Sequence, residues 1–241
     1  MDNNTIKDIY LERKSYQSLH VDDRDIQLQY VMKFIPTDKN ISILDAGCGN
    51  GRRALKLFHL NYTKISAVDL FDSIPVKEIN YFKASIEDLP FNNNEFEFVY
   101  AMSVIYYPTD PGKAIKEFER VLKPGGTLII TAHTKYSLFT LKRIFMRLLK
   151  RKNVQHLKDV RFKSANEYIG LLKRSNFEIN LIDGFNLSFI FVPAYNLFKA
   201  ALAKYTKINL PFFPQRITKS KAIARLKSIF AYHMIIVARK K

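Results

Sequence analysis

The sequence predicts an α/β fold in which a mostly parallel sheet is covered by helices on both faces. Three observations carry that prediction. Short apolar, β-branched runs alternate with segments whose apolar residues recur at helical spacing, as expected of strands buried on both faces. Two of the runs, ISILD and ISAVD, end in an aspartate. Directly after the first, in DAGCGNGRR, glycines stand at alternate positions although the chain has only eight.

The elements follow in order. Residues 1–38 are expected to be a helical N-terminal segment and 39–133 a core. Ile41–Asp45 reads as a strand, and Arg52–Leu60 as a helix with an apolar face at Ala54, Leu55, Leu57, Phe58 and Leu60. Ile65–Leu70 is the next strand and Phe96–Met102 another. Pro111–Val121 is a helix, Lys123–Gly126 a turn and Thr127–Ala132 a clear strand. Ser164 with Glu167 forms a capping box before an apolar face at Tyr168, Leu171 and Leu172, and Phe177–Ile182 is a strand. In open sheets of this kind, ligands bind beyond the carboxyl ends of the strands, where strand order reverses.

Composition narrows the class. A chain of 241 residues, 47% hydrophobic, buries a sizeable core and fits one domain. Cys48 is the sole cysteine, so no intrachain disulfide forms. The polar start MDNNTIKDIYLERK is not a secretory signal, and the best apolar run, Phe189–Phe198, is short and broken by Pro193 and Asn196. A cytoplasmic protein is expected. The net charge of +17 is unevenly spread: residues 1–133 hold 16 Lys and Arg against 18 Asp and Glu, residues 134–241 hold 23 against 4. The positive charge therefore belongs to one part of the molecule and implies a partner for it.

The glycines at Gly47, Gly49 and Gly51 would let backbone approach a ligand closely. A dinucleotide turn would read G-x-G-x-x-G, but Arg52 stands at the last glycine's place, and no Gly-Lys-Ser/Thr follows to make a P-loop. The pattern D-x-G-x-G-x-G resembles the first motif of class I S-adenosylmethionine-dependent methyltransferases. Three further stretches share the resemblance, in order: AVDL, KASIEDLPFNNNEFEFVYAM and EFERVLKPGGTLIITAH. The resemblance covers about residues 40–133. It implies a Rossmann-like, seven-stranded, mostly parallel sheet whose last strand, at Ile229–Ala238, is antiparallel. It also implies S-adenosylmethionine as cofactor. Gly47, Gly49 and Gly51 would line its methionine end, with Met102 nearby; Asp45 would help to orient its amino group. Asp69, followed by Leu70, would hold the ribose through a carboxylate able to accept two hydrogen bonds at once. Ser85 and Ile86 would meet adenine, Ser85 standing where many relatives have an aspartate. Glu97 replaces the usual aspartate opening the fourth strand, a position read as structural.

Methyl transfer from a sulfonium is largely in-line positioning in a dry site, and a general base is needed only where the acceptor keeps its proton. Tyr106, Tyr107, Asp110 and His133 are the catalytic candidates near the strand ends, and no metal is expected. The N-terminal segment, with Tyr10, Tyr16, His20 and Arg24, is a candidate cover for the cofactor. AMSVIYYP stands where amino-group methylases of bases carry Asn/Asp-Pro-Pro-Tyr/Phe, which argues against methylation of an exocyclic base amine.

By the same resemblance, 134–163 and 184–228 are insertions, while 164–183 and 229–241 complete the sheet. The insertions hold 10 and 8 basic residues against 1 acid and none. Leaving from the carboxyl ends of strands, they are expected to build a basic, amphipathic cap over the acceptor. FTLKRIFMRLLKRK has the pattern of a helix lying in a membrane interface, where anionic headgroups contribute about 1 kcal/mol per basic residue. The expected activity is O-methylation of a small-molecule, glycan or lipid-linked acceptor, with peripheral docking at the inner membrane surface. An RNA methyltransferase, its basic cap following a phosphate backbone, is the rival enzyme reading. A catalytically silent methyltransferase-like binding protein is the reading from another class.

Overall fold

The computed structural model describes residues 18–21, 25–137, 140, 162–185, 224, 228–229, 231 and 233–241. Its helices are α1 (Ile26–Phe34), α2 (Arg52–Phe58), α3 (Pro111–Val121) and α4 (Ala165–Arg174). Its strands are β1 (Ile43–Ala46), β2 (Ile65–Asp69), β3 (Asn80–Lys83), β4 (Phe96–Met102), β5 (Leu122–Ala132), β6 (Phe177–Phe185) and β7 (His233–Lys240). They form one seven-stranded sheet in the order β3-β2-β1-β4-β5-β7-β6. β1 to β5 pair in parallel, and β7 runs antiparallel to both of its neighbours. Strand order reverses at β1, between β2 and β4. Residues beyond β1 and β4 therefore sit at the switch point.

Alternation along each strand separates two apolar layers. Leu44, Val99, Ala101, Leu128, Ile130 and Ile236 face α3 and α4 through Ile115, Phe118, Tyr168 and Leu172. Ile43, Phe98, Ile129, Ile235 and Val237 face α1 and α2 through Val31, Ala54 and Leu57. Near-continuous apolar strands are what a doubly covered sheet requires.

The helix ends have local causes. Asp25 caps α1, accepting from the Gln27 and Leu28 N–H groups. The Ser164–Glu167 capping box at α4 is formed as the sequence implies. Two residues short of the expected end, α2 stops because Asn61 turns left-handed (φ 67°), with Tyr62 N–H donating to the Leu57 carbonyl and Asn61 N–H to that of Phe58. Strand bounds also differ from the sequence reading. β3 was not anticipated, being a four-residue strand with exposed ends. β5 begins before the expected turn: Leu122 pairs with Phe96, pairing resumes at Thr127 opposite Phe98, and Lys123–Gly126 bulges out opposite Glu97. β6 runs on to Phe185, and β7 starts at His233 rather than Ile229, since Ser228 and Ile229 are helical. Most of both basic insertions, and with it all of the amphipathic stretch 139–152 except Thr140, lies outside the described residues.

Two of the sequence motifs prove to be physically joined. Arg120, in EFER, donates from Nη1 to the Phe91 carbonyl at 2.6 Å and from Nη2 to the Leu89 carbonyl at 2.9 Å. Glu117 holds the same arginine through both carboxylate oxygens, at 2.8 Å each, and accepts from Leu89 N–H. The DLPF loop is thus clamped to α3 by charge-assisted hydrogen bonds. Glu97 is structural, as expected: its carboxylate accepts from Ser42 N–H at 2.6 Å, from the Ser42 hydroxyl and from Lys123 Nζ, at the edge of the sheet away from the glycine turn. Desolvation alone would raise its pKa, but these donors take it down to about 2. Replacing Arg120 with alanine is expected to cost about 2 kcal/mol of stability, read as a lower urea midpoint at unchanged slope.

Candidate active site

The turn between β1 and α2 is built on left-handed glycines: Gly47, Gly49 and Gly51 have φ of 74°, 62° and 77°. Packing enforces two of them as well. A Cβ on Gly47 would collide with the Val104 side chain, and one on Gly51 would lie 2.8 Å from Ile74 Cδ1. The turn is sewn to β2, with Gly47 and Cys48 N–H donating to the Val68 carbonyl at 2.8 and 2.9 Å. Gly49 N–H donates to Asp69 Oδ2 at 2.7 Å, and Leu70 N–H to Oδ1 at the same distance. Each oxygen of Asp69 thus takes one backbone donor and retains acceptor capacity. The Asp69 carbonyl accepts from Ala84 N–H and the Tyr81 hydroxyl, which brings Ser85 beside the end of β2. Ser85 Oγ accepts from Glu87 N–H, while Ile86 is buried in the layer against α3.

Asp45 lies under this turn, 2% exposed. Its Oδ2 and the Tyr100 hydroxyl are buried without a hydrogen-bond partner, yet each is close enough to shift the other's ionisation. Burial pushes Asp45 up to about 7, with Tyr100 and Arg53 pulling partly back and Asp69 pushing further. Burial likewise raises Asp69 to about 6, against the Gly49 and Leu70 N–H groups. The Cys48 thiol, buried beside both carboxyls, is pushed well up and is not a nucleophile.

The first turn of α2 supplies Arg53, which the sequence reading passed over. Its guanidinium donates to Asp25 Oδ2 (3.0 Å from Nη2) and to Gln27 Oε1 (2.8 Å), tying α1 to the glycine turn. Asn50 does the same for the segment before α1, donating to the Ser18 carbonyl at 3.0 Å, and Val21 of that segment is buried in the apolar layer under α1 and α2. Those contacts lie more than twenty residues apart, where no local pattern signals them. His20 is exposed; Tyr10, Tyr16 and Arg24 lie outside the described residues.

The catalytic candidates separate. Asp110 caps α3, accepting from Gly112 N–H at 2.8 Å on the exposed rim. Tyr106, Tyr107 and His133 come together: ring centroids are 4.6 Å apart for the tyrosines and 5.0 Å for Tyr106 and His133. The antiparallel register of β5 and β7 then sets His233 beside His133 at 4.3 Å, and Phe185 stacks on His233 at 4.9 Å. His233 stood at the head of the last strand but was not singled out. Burial, His133 and Arg53 all lower its pKa, so it stays neutral. Met102, 5% exposed, ends β4 in the layer under α1. Among the described residues no group of three His, Cys, Asp or Glu is placed to hold a metal ion, and no helix is long and apolar enough to cross a membrane. An ammonium and a vicinal diol are the ligand groups that Asp45 and Asp69 could hold.

The buried carboxyl has a stability cost with a defined sign. Folded Asp45 binds its proton up to about 7, against an ordinary 3.8, so the folded state holds more protons in between and stability falls as pH rises through that window. Asp45→Asn is expected to stabilise the ligand-free protein at pH 8 by up to about 4 kcal/mol, and by progressively less toward pH 4. Thermal melts at several pH values check both the sign and the window.

Comparison with known proteins agrees with this architecture. The family described as "Methyltransferase domain" matches residues 44–130. The uncharacterized protein MJ1123 of Methanocaldococcus jannaschii is 30% identical over 152 residues, 63% of this chain and 70% of that one. A malonyl-[acyl-carrier protein] O-methyltransferase of Buchnera aphidicola is 28% identical over 206 residues, 83% of this chain and 79% of its own. A Thermotoga maritima SAM-dependent methyltransferase shares the fold, with a TM-score of 0.61 at 21% identity over 99% of this chain and 95% of that one. With a glycine turn and acidic strand ends at the switch point of a β3-β2-β1-β4-β5-β7-β6 sheet, the chain belongs to the class I S-adenosylmethionine-dependent methyltransferases.

Proposed function

We propose that this methyltransferase acts on an oxygen of an anionic small-molecule, glycan or lipid-linked acceptor, which the basic insertions bind, and that it works docked at a membrane surface. The observation that carries this reading is where the insertions are rooted. β5 ends at Ala132, β6 ends at Phe185 and antiparallel β7 starts at His233, all at the sheet edge that bears the glycine turn. Segments 134–163 and 184–228, with 18 basic residues and 1 acid, leave and return there. Oxygen as the accepting atom is supported by AMSVIYYP in place of the amine-methylase motif, and by the printed activity of the Buchnera relative.

The fit of the cofactor rests on the donor set. Asp45 Oδ2 is a buried acceptor with no partner in the protein, suited to an ammonium group. Asp69 keeps lone pairs for the two ribose hydroxyls, Gly47, Gly49 and Gly51 carry the backbone past the methionine end, and Ser85 with Ile86 bounds the adenine. Leu70 N–H fixes the Asp69 carboxylate, and Met102 closes the end of β4. The bound cofactor supplies an electrophilic methyl group. Tyr106 and Tyr107 wall the acceptor side, and His133 beside them would take a proton from a hydroxyl; their ring contacts support this reading. Asp110, committed to capping α3, is left without a catalytic part.

Incubating the protein with methyl-labelled S-adenosylmethionine and a lysate of its source, then separating lipid, glycan, nuclease-sensitive, protein-bound and small soluble fractions, tests the acceptor. Label in the lipid, glycan or small anionic fraction is expected. Label released by nuclease would mean that the basic insertions grip RNA instead. For the cofactor, Asp69→Ala is expected to weaken binding by roughly 1.5–3 kcal/mol in calorimetry, since charge-assisted hydrogen bonds are lost. Wild-type affinity should rise as pH climbs through about 6 and about 7, where Asp69 and then Asp45 lose their protons, and level off above.

A further inference from the structure

Ser103 follows β4 at the switch point with φ 60°, in the left-handed region that a non-glycine residue enters rarely and that clusters at functional sites. Its backbone is held there by Thr131, whose Oγ1 and carbonyl accept Ser103 N–H at 2.8 and 3.2 Å. The next residue, Val104, packs against Gly47, so Ser103 abuts the glycine turn, and it is partly exposed.

A chain of forced choices sets the direction of its hydroxyl. A guanidinium only donates, so Arg53 fixes Gln27 with Oε1 toward itself at 2.8 Å. The Gln27 amide nitrogen must then point the other way, and it does, donating to Ser103 Oγ at 2.7 Å. Ser103 Oγ is an acceptor in that bond and keeps its own hydrogen to donate. Thr131 Oγ1 stands 3.4 Å from it, a long contact, and already takes the Ser103 N–H. Asp25 locks the far end of the relay by pairing with the same arginine.

We propose that Ser103 is a specificity-determining residue that donates its hydroxyl hydrogen to an oxygen lone pair of a molecule bound over the end of β4: a carboxylate, carbonyl or phosphate oxygen. Gln27 is the positioning residue that makes Ser103 a donor. The inference rests on reading this sheet edge as the methyl-transfer site. It adds that the site recognises an oxygen it does not deprotonate. That oxygen belongs either to the acceptor or to the cofactor's carboxylate.

Two variants separate this role from a structural one. Ser103→Gly removes the hydroxyl at a backbone position that glycine adopts freely. Gln27→Glu keeps size and the arginine contact but offers only acceptors, so the Ser103 hydrogen would be drawn to the glutamate. Thermal melts fix a temperature at which both variants are fully folded, and the comparison is made there. Initial rates of label transfer to the labelled lysate fraction, and calorimetric affinity for S-adenosylhomocysteine, are then compared. A fall of about tenfold in transfer by both variants at unchanged S-adenosylhomocysteine affinity assigns the oxygen to the acceptor. A fall of about tenfold in that affinity assigns it to the cofactor's carboxylate. Unchanged values in both assays overturn the proposal, and so does a loss in Ser103→Gly that Gln27→Glu does not share. Where the wild type labels no fraction, the acceptor reading fails, while the affinity measurement still judges Ser103: a loss in both variants upholds it and no loss overturns it.

Discussion

The left-handed turn from Gly47 to Gly51, hydrogen-bonded to the end of β2, is the constraint on which the rest of the site depends. Through Val68 and Asp69 it fixes β1 against β2, so the carboxyl ends of adjacent strands become one surface. Any side chain at Gly47 would strike Val104 at the end of β4, so the turn also sets how closely the β4 loop approaches. Ser103, Val104 and the tyrosines that follow are placed by the same contact.

Beneath the turn and across the sheet under α1, polar side chains are buried where apolar ones would pack more cheaply. Asp45, Tyr100, Thr131 and Asp183 are nearly inaccessible and lie under α1, whose Tyr30 hydroxyl donates to Asp183 Oδ2 at 2.7 Å. Desolvation raises the Asp45 and Asp69 pKa values, so the ligand-free fold carries a penalty that a cationic or hydrogen-bonding ligand relieves. The same two carboxyls that weaken the ligand-free fold are the ones left with acceptor capacity at the glycine turn. α1 makes the arrangement possible, since its Asp25 and Gln27 hold Arg53 over the turn while Tyr30 reaches β6.

Farther along the edge the polar layer gives way to rings. Tyr107, Tyr106, His133, His233 and Phe185 follow one another at centroid distances of 4.3–5.0 Å, contributed by the β4 loop and the ends of β5, β7 and β6. Within this band burial keeps the His233 imidazole neutral. The near-neutral first half of the chain and the strongly basic second half meet along it.

The sequence by itself determined the fold class, the glycine turn, the acids at the carboxyl ends of β1 and β2, the α3 boundaries and the start of α4. Each of these is written in local signals: period-2 or continuous apolar runs, a helix-spaced face, a capping box, and glycine where the backbone must turn left-handed. It also located the positive charge, since charge is counted directly. Only tertiary structure decided the rest. β3 is too short to show a period, and the bulge in β5 arises from register with β4, to which propensity is blind. Arg53 is legible as a residue but not as a link, because Asp25 and Gln27 come from a different helix. Asp110 has the composition of a base and the position of a cap, and only its neighbours distinguish the two. His233 and Ser103 take their meaning from strands paired across the sheet: hydrogen-bond direction and ring stacking depend on distances between segments far apart in the chain, which no local pattern encodes.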